Sequence, residues 1–441
     1  MMDVATFVGT IFNHQIPFRV EAYDGSVTEP TVISPANNIT LKILRREALT
    51  RVLTHPGELG LARAYVAGDI EVDGDLDPLF DLNVPPIKQI LKLNNLRSLL
   101  SVVGASALRP IAPPDIEAKQ RGALHSRSRD KQAISHHYDV SNRFYEMVLG
   151  PSMTYSCAVF KSPEDTLELA QQRKVDLVAR KLDLKPGMRL LDVGCGWGAM
   201  AIHAAKTYGA SVVGVTLSEQ QLNYAKDQAI LAGVSDLVEF RLQDFRDVHD
   251  GPFDAISSIG MSEHVGRRSL APYTQTVFDL LRPGGRFLNH AIGRPASFEA
   301  DPDPSKVNEM SRQIQIALGM RGPSKNGSAF IERYVFPDGE LHEVGTLVSM
   351  FQNHGFEVRH LESLREHYAL TLRNWVDNLT KRFDEAVEEV GAERARVWRL
   401  YMSGSAVGFE RRHLEIHQVL CVRPLDGVSG LGLRPDFSAS F

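Results

Sequence analysis

Between about residue 174 and residue 292 the apolar positions fall into two alternating patterns. At 174–181, 199–208, 220–231 and 272–281 they recur three and four residues apart. At 189–193, 211–215, 237–241, 255–258 and 286–292 they form short, nearly continuous runs. The first pattern gives a helix one core-facing stripe, and the second suits a strand buried on both faces. Strands separated by helices of this length predict a parallel α/β sheet, doubly wound, with helices on both sides.

The chain before this block reads differently. Residues 17–72 alternate with period two at 18–23 and 39–43, followed by a helical pattern at 46–53. A second helix is expected from Gly60 to Tyr65, ending at the Gly68-Asp69-Ile70 turn. This predicts a smaller mixed α+β domain. From Val84 to Pro114 no acidic residue occurs, and Lys88, Lys92, Arg97 and Arg109 are spaced among Ile87, Ile90, Leu91, Leu96 and Leu99. A basic amphipathic helix over 87–108 is expected, which can pack between domains or lie on an anionic membrane surface. A linker at 109–130 contains Pro113-Pro114 and Arg121, Arg127 and Arg129. The expected organisation is an N-terminal lipid-associated domain (1–108), the linker, and a catalytic domain (131–441) with a Pro- and Gly-rich insert at about 295–330.

Composition narrows the function classes. A chain of 441 residues with 43% hydrophobic and 23% charged residues has ample core. A net charge of −5 argues against a nucleic-acid partner. Three cysteines, Cys157, Cys195 and Cys421, without paired spacing suggest neither disulfides nor a metal site. A reducing cytoplasm is the expected setting. No apolar run approaches the roughly 18 residues that span a bilayer, so contact with lipid is expected from the surface.

The segment Leu190-Leu191-Asp192-Val193-Gly194-Cys195-Gly196-Trp197-Gly198 is a strand that runs into a glycine-spaced turn opening a helix. Glycines at this spacing let backbone approach a nucleotide-type ligand closely. A dinucleotide site is one reading. The next strand, however, ends in Val215-Thr216-Leu217-Ser218 and lacks the acid that would bind a ribose 2′-hydroxyl. The Asp192-x-Gly194-x-Gly196-x-Gly198 form resembles the first motif of class I methyltransferases, which implies S-adenosylmethionine. Thr216 and Gln221 are then the candidates for ribose contact, and Gln243-Asp244 for adenine. Asp244 also suits a helix N-cap.

Four motifs together resemble one family. They are His137-Tyr138-Asp139-Val140-Ser141-Asn142, Met153-Thr154-Tyr155-Ser156-Cys157-Ala158, the glycine motif with Trp197, and Gly260-Met261-Ser262-Glu263-His264-Val265-Gly266. In this order they resemble the cyclopropane-fatty-acyl-phospholipid synthases and mycolic acid cyclopropane synthases over about residues 130–425. The Gly60–Asp69 stretch is similar to the N-terminal domain of the phospholipid-acting branch. The resemblance implies a cofactor site that includes Tyr155 and Ser156. It also implies a bound bicarbonate acting as base, held by Cys157, Glu263, His290, Ile292 and Tyr368. Residue types agree, because bicarbonate both donates and accepts: a Glu can take its O–H while His and Tyr donate to its oxygens. Each residue also has a plain structural reading, Cys157 as a small buried hydrophobe and His290 as a core histidine. A nucleophilic Cys157 is the rival, although nothing in an alkene requires a covalent enzyme intermediate.

The implied reaction adds a one-carbon unit to the cis double bond of an unsaturated, oleoyl-type phospholipid chain. Attack on the sulfonium methyl leaves a carbocation in an apolar site, where water must be excluded and aromatic faces can help. Tyr138, Phe144, Tyr145, Tyr155 and Tyr368 are available for that task. The insert motivates the expectation of a 10-methylene product, as in actinobacterial members that make tuberculostearate precursors completed by a separate reductase. The alternative is a cyclopropane. A small-molecule O- or N-methyltransferase and a non-catalytic lipid-binding protein are more distant readings. The expected partners are membrane phospholipid and the anionic inner face of the plasma membrane, with a downstream reductase and a homodimer as further possibilities.

Overall fold

The computed structural model describes residues 2–55, 57–81, 104, 109–118, 129, 140–295 and 328–438, which divide into two compact units. The expected basic helix, including Lys88, Lys92 and Arg97, lies almost wholly outside the described residues, as do Tyr138 and 296–327 of the insert.

The first unit comprises Met1–Lys119, Gly327–Val335 and Phe383–Val407. Its four-stranded sheet consists of β1 (Arg19–Ala22), β2 (Val27–Thr28), β3 (Thr40–Ile43) and β4 (Ile70–Asp73) in the order β2-β1-β3-β4. In β4 the period-two pattern buries Ile70 and Val72 and exposes Glu71 and Asp73. The expected helices are Glu47–Thr54 and Glu58–Val66. A third, Val4–Ile11, was not anticipated; Asp3 caps it by accepting from the Thr6 amide at 2.8 Å. Phe7, Phe18, Val20 and Tyr65 belong to the core of this unit.

The domain boundary expected at 131 assigned everything beyond it to one catalytic domain. Instead, Gly327–Val335 and Phe383–Val407 group with the N-terminal unit. The packing explains this: the Tyr334 hydroxyl donates to Glu117 at 2.9 Å, and Leu400 packs on the core containing Phe7 and Tyr65. An apolar stripe marks a helix as core-facing but does not say which core it faces.

The second unit holds the predicted α/β sheet. Its strands are β5 (Arg189–Val193), β6 (Ser211–Thr216), β7 (Val238–Leu242), β8 (Phe253–Ile259), β9 (Leu281–Gly293), β10 (Glu357–Ser363) and β11 (Glu415–Val422). Their order is β10-β11-β9-β8-β5-β6-β7, and β11 alone runs antiparallel to its neighbours. The helices Ala199–Tyr208, Glu219–Leu231 and Leu270–Leu280 fall where the periodicity put them. Leu167–Lys181 begins earlier than expected because Thr166 caps it, accepting from the Leu169 amide. Both faces of the sheet carry core, one side containing Leu190, Val212 and Ala255 and the other Leu191, Val213 and Ile256.

Chain order steps from β5 outward to β7, then returns to the opposite side of β5 for β8 and β9. Such a reversal leaves a crevice beyond the carboxyl ends of the central strands. No helix among the described residues is long and apolar enough to cross a membrane.

Candidate active site

A cavity of about 250 Å3 opens at that reversal. Nine of the ten expected cofactor residues line it: Tyr155, Ser156, Asp192, Gly194, Gly196, Thr216, Gln221, Gln243 and Asp244. Gly194, Gly196 and Gly198 have φ of +73°, +54° and +88°, a region that favours glycine. Gly198 does not line the cavity. A Cβ there would come within 2.7 Å of the Phe240 ring, so this glycine allows the helix Ala199–Tyr208 to sit close to the sheet.

Polar groups in the cavity are partly held by one another. The Thr216 hydroxyl donates to Gln221 Oε1 at 2.8 Å, leaving the Gln221 amide N–H groups for a ligand. Asp244 does cap a short 3₁₀ turn, accepting from the Arg246 amide, and it also receives the Arg246 guanidinium. Asp244 thus caps this turn while lining the cavity. Asp192 Oδ1 accepts from Ser257 Oγ at 2.7 Å, whereas Oδ2 is buried with no partner among the described residues. Burial pushes the Asp192 carboxyl up to about 6.

Among the lining residues that sequence reasoning missed, Lys174 carries the most chemistry. Lys174 is only 1% exposed, and its ammonium donates to Ser156 Oγ at 2.9 Å. Burial pulls its pKa down to about 8, against the attraction of Asp192. The cavity thus holds a buried cation and a buried carboxylate that are not paired with each other. On the helix pattern alone Lys174 looks like an ordinary amphipathic position. Its signal is the apolar company of Ala170, Val175 and Val178, which turns it inward.

The five residues expected to form a base site lie beside this cavity without lining it. Glu263 sits in the 3₁₀ turn Ser262–His264, where its Oε1 accepts from the Ile292 amide at 2.7 Å. Its Oε2 is buried and has no partner among the described residues, and burial pushes the carboxyl up to about 7. The Ile292 N–H is therefore engaged by Glu263. His290, two residues earlier on β9, shares a strand face with Ile292. Its Nδ1 faces the Gln418 amide nitrogen at 3.0 Å, while its Nε2 is buried and without a partner among the described residues. Burial, with the Lys174 and Lys181 charges, drives its pKa well below the usual histidine range and keeps the ring neutral.

Cys157 and Tyr368 meet through Leu364. The Cys157 thiol approaches the Leu364 carbonyl at 3.6 Å, and the Tyr368 amide donates to the same oxygen at 3.0 Å. Thr371, one turn further along the helix Arg365–Lys381, accepts from the Ala158 amide at 3.0 Å. The Leu364 amide donates to Ile416 of β11, which ties this pair to the strand carrying Gln418. Cys157 is fully buried, and burial pushes its thiol far up, which opposes the nucleophilic thiolate reading.

Aromatic rings run from the cavity to Tyr368. Trp197 lies 4.6 Å from Tyr145, Tyr145 is 6.0 Å from Tyr155, Tyr155 is 5.3 Å from Trp375, and Trp375 is 6.0 Å from Tyr368. Phe144 and Tyr145 are fully buried packing residues. Trp375 was not foreseen, because it lies in a helix beyond the recognisable motifs. Asn142 accepts from the Trp197 indole at 2.9 Å, physically joining two of the four motifs.

A seven-stranded sheet with one reversed strand, and a glycine-turn cavity at its topological switch, define a class I methyltransferase. The model of the mycolic acid cyclopropane synthetase family matches residues 125–419, and the chain belongs to that family. It is 44% identical over 434 residues to a probable fatty acid methyltransferase of Mycobacterium tuberculosis, covering 96% of this chain and 95% of the relative. It is 31% identical over 421 residues to a tuberculostearic acid methyltransferase of the same organism, covering 92% and 88%. A crystal structure of a mycolic acid cyclopropane synthase in complex with SAH and CTAB matches with TM-score 0.58 and 32% identity, covering 66% of this chain and 97% of that one. The protein is thus an S-adenosylmethionine-dependent methyltransferase of fatty acids or lipids.

Proposed function

We propose that the chain adds a one-carbon unit to the cis double bond of an oleoyl-type phospholipid chain and releases a 10-methylene acyl chain. The carrying observation is a pair of buried polar atoms, Glu263 Oε2 and His290 Nε2, that have no partner among the described residues. An alkene that attacks a methyl group becomes a carbocation, and this intermediate requires a dry site and a base other than bulk water.

S-adenosylmethionine supplies the electrophilic methyl on a sulfonium. The residues at hand suit it: Lys174 can meet its carboxylate, Asp192 its ammonium, and the Gln221 amide its ribose. Bicarbonate supplies a small base that can both accept and donate. Glu263 Oε2 suits its O–H, and His290 Nε2 and the Tyr368 hydroxyl suit its oxygens. Here the Ile292 backbone contributes by fixing Glu263, and Cys157 by shaping a neutral wall. The Tyr155, Trp375 and Tyr368 rings offer electron-rich faces to a passing cation.

The methylene outcome follows from a hydride shift along the chain after methyl addition, then loss of a methyl proton. It is supported by the relatives named for fatty acid and tuberculostearic acid methylation. Ring closure to a cyclopropane is the second reading, favoured by the mycolic acid cyclopropane synthase whose structure matches. A phospholipid substrate is supported by the additional length of this chain, of which the match to that synthase covers 66%. The basic stretch at 87–108 would dock the enzyme on the anionic cytoplasmic face of the plasma membrane. A methylene product would then need a separate hydride-donating reductase to become a methyl branch.

Purified protein incubated with S-adenosylmethionine and dioleoylphosphatidylglycerol vesicles tests this. The expected lipid gains one CH2 and shows vinylidene protons by NMR. High-field ring protons would establish the cyclopropane reading, and no gain in mass would overturn both.

A further inference from the structure

A row of side chains crosses the sheet edge to His290. Strand register pairs Glu362 of β10 with Gln418 of β11, and Gln418 with His290 of β9. Lys181, the last residue of the helix Leu167–Lys181, reaches this row with its side chain fully buried. Its ammonium donates to Glu362 Oε2 at 2.5 Å and to Gln418 Oε1 at 2.7 Å. The Gln418 amide nitrogen lies 3.0 Å from His290 Nδ1. Glu362 is 37% exposed, so the row begins at solvent and ends in a fully dry position.

The protonation pattern along this row has one solution. An ammonium has three donors and no acceptor, so the Gln418 atom beside it must be the amide oxygen. That choice, normally ambiguous for a glutamine, sends the NH2 group to His290. Because an amide NH2 only donates, His290 Nδ1 must accept, and the proton of the neutral ring then resides on Nε2. Nε2 is the atom left without a partner among the described residues. Since Gln418 neither gains nor loses a proton readily, the row is not a proton wire. It is a device for orientation.

We propose that Lys181 and Gln418 are positioning residues that lock His290 as the Nε2–H tautomer, so that it presents a neutral donor to an anion bound beside Glu263. This rests on reading His290 as part of the base site.

The test is NMR of the full chain labelled with 15N-histidine, with the His290 signals assigned by comparison with His290→Asn. Expected is a pyridine-type Nδ1 and a protonated Nε2. Gln418→Glu places a carboxylate beside Nδ1 and should invert the tautomer. Turnover on dioleoylphosphatidylglycerol vesicles should then fall about 10–100-fold, with affinity for S-adenosylhomocysteine unchanged. Lys181→Met, which leaves Glu362 facing water, frees the amide to flip and should give a mixture of tautomers and a smaller loss; it also serves if Gln418→Glu fails to fold. A protonated Nδ1 in the unsubstituted protein would overturn the proposal, as would Gln418→Glu that leaves both tautomer and turnover unchanged while His290→Asn abolishes turnover. If instead the tautomer inverts but neither Gln418→Glu nor His290→Asn alters turnover, the base-site reading fails, and with it the proposed role of the lock.

Discussion

In the N-terminal unit Arg63 meets Glu117 through two hydrogen bonds of 2.8 and 2.6 Å, and the Tyr334 hydroxyl adds a third at 2.9 Å. In the catalytic unit Glu263 receives one backbone amide and leaves its other oxygen buried and bare, as His290 leaves Nε2 and Asp192 leaves Oδ2. Both regions bury charge-bearing groups almost completely. The first satisfies them, and the network joins three distant segments of chain. The second leaves gaps that each cost about 1–3 kcal/mol in the free protein. Such gaps are tolerated where a ligand fills them, so the contrast separates architecture from chemistry within one molecule.

Substitutions in the two regions should fail in opposite ways. Glu263→Gln is expected to lower turnover by about 10²–10⁴-fold while making the protein more stable above neutral pH. The sign follows from the Glu263 carboxyl, raised by burial from an ordinary 4.5 to about 7. Below the unfolded value both states are protonated and nothing is lost. As pH rises from about 4.5 to about 7, the unfolded carboxyl ionises while the dry folded one keeps its proton, and stability falls by an amount on the order of 3 kcal/mol, all of it lost above about 7. Thermal melts at pH 5 and pH 8 should therefore show a gap between variant and parent only at the higher pH.

Arg63→Met should do the reverse. Leaving Glu117 buried without its cation should cost about 3–5 kcal/mol in urea denaturation, with cofactor affinity of the folded protein unchanged. Lys174→Met belongs with the cavity groups. It should weaken S-adenosylhomocysteine binding by about 1.5–3 kcal/mol, read by calorimetry, but leave methylthioadenosine binding intact because that molecule lacks the amino-acid end. Equal losses for both ligands would make Lys174 a structural residue like Arg63. The smallest effect is expected in the basic stretch 87–108. Single replacements of Lys88, Lys92 or Arg97 by Glu should each weaken sedimentation with anionic vesicles by about 1 kcal/mol or somewhat more.

The same contrast explains what could be read from sequence. The cofactor cavity was legible because its chemistry is local: Asp192 and the three glycines occupy one strand and turn, and nine of ten expected residues line the cavity. Helices and strands from 174 to 292 were legible from periodicity, since both faces of their sheet are buried. The proposed base site was reached only through the resemblance, because Cys157, Glu263, His290 and Tyr368 lie on four separate segments. Lys174, Lys181 and Gln418 were missed for a related reason. A charged or amide side chain on an amphipathic helix or strand is normally a solvent-facing residue, and only tertiary packing turns these inward. The grouping of 383–407 with the N-terminal unit was illegible too, as periodicity names a buried face but not its partner.

The most direct test of the central claim, that the bare atoms of Glu263 and His290 form an anion-binding base site, is turnover with and without bicarbonate. Protein freed of dissolved carbon dioxide should lose most of its methyl transfer to dioleoylphosphatidylglycerol and recover it when bicarbonate is added, and Glu263→Gln should not recover. A rate that is unchanged by removing bicarbonate would contradict the account.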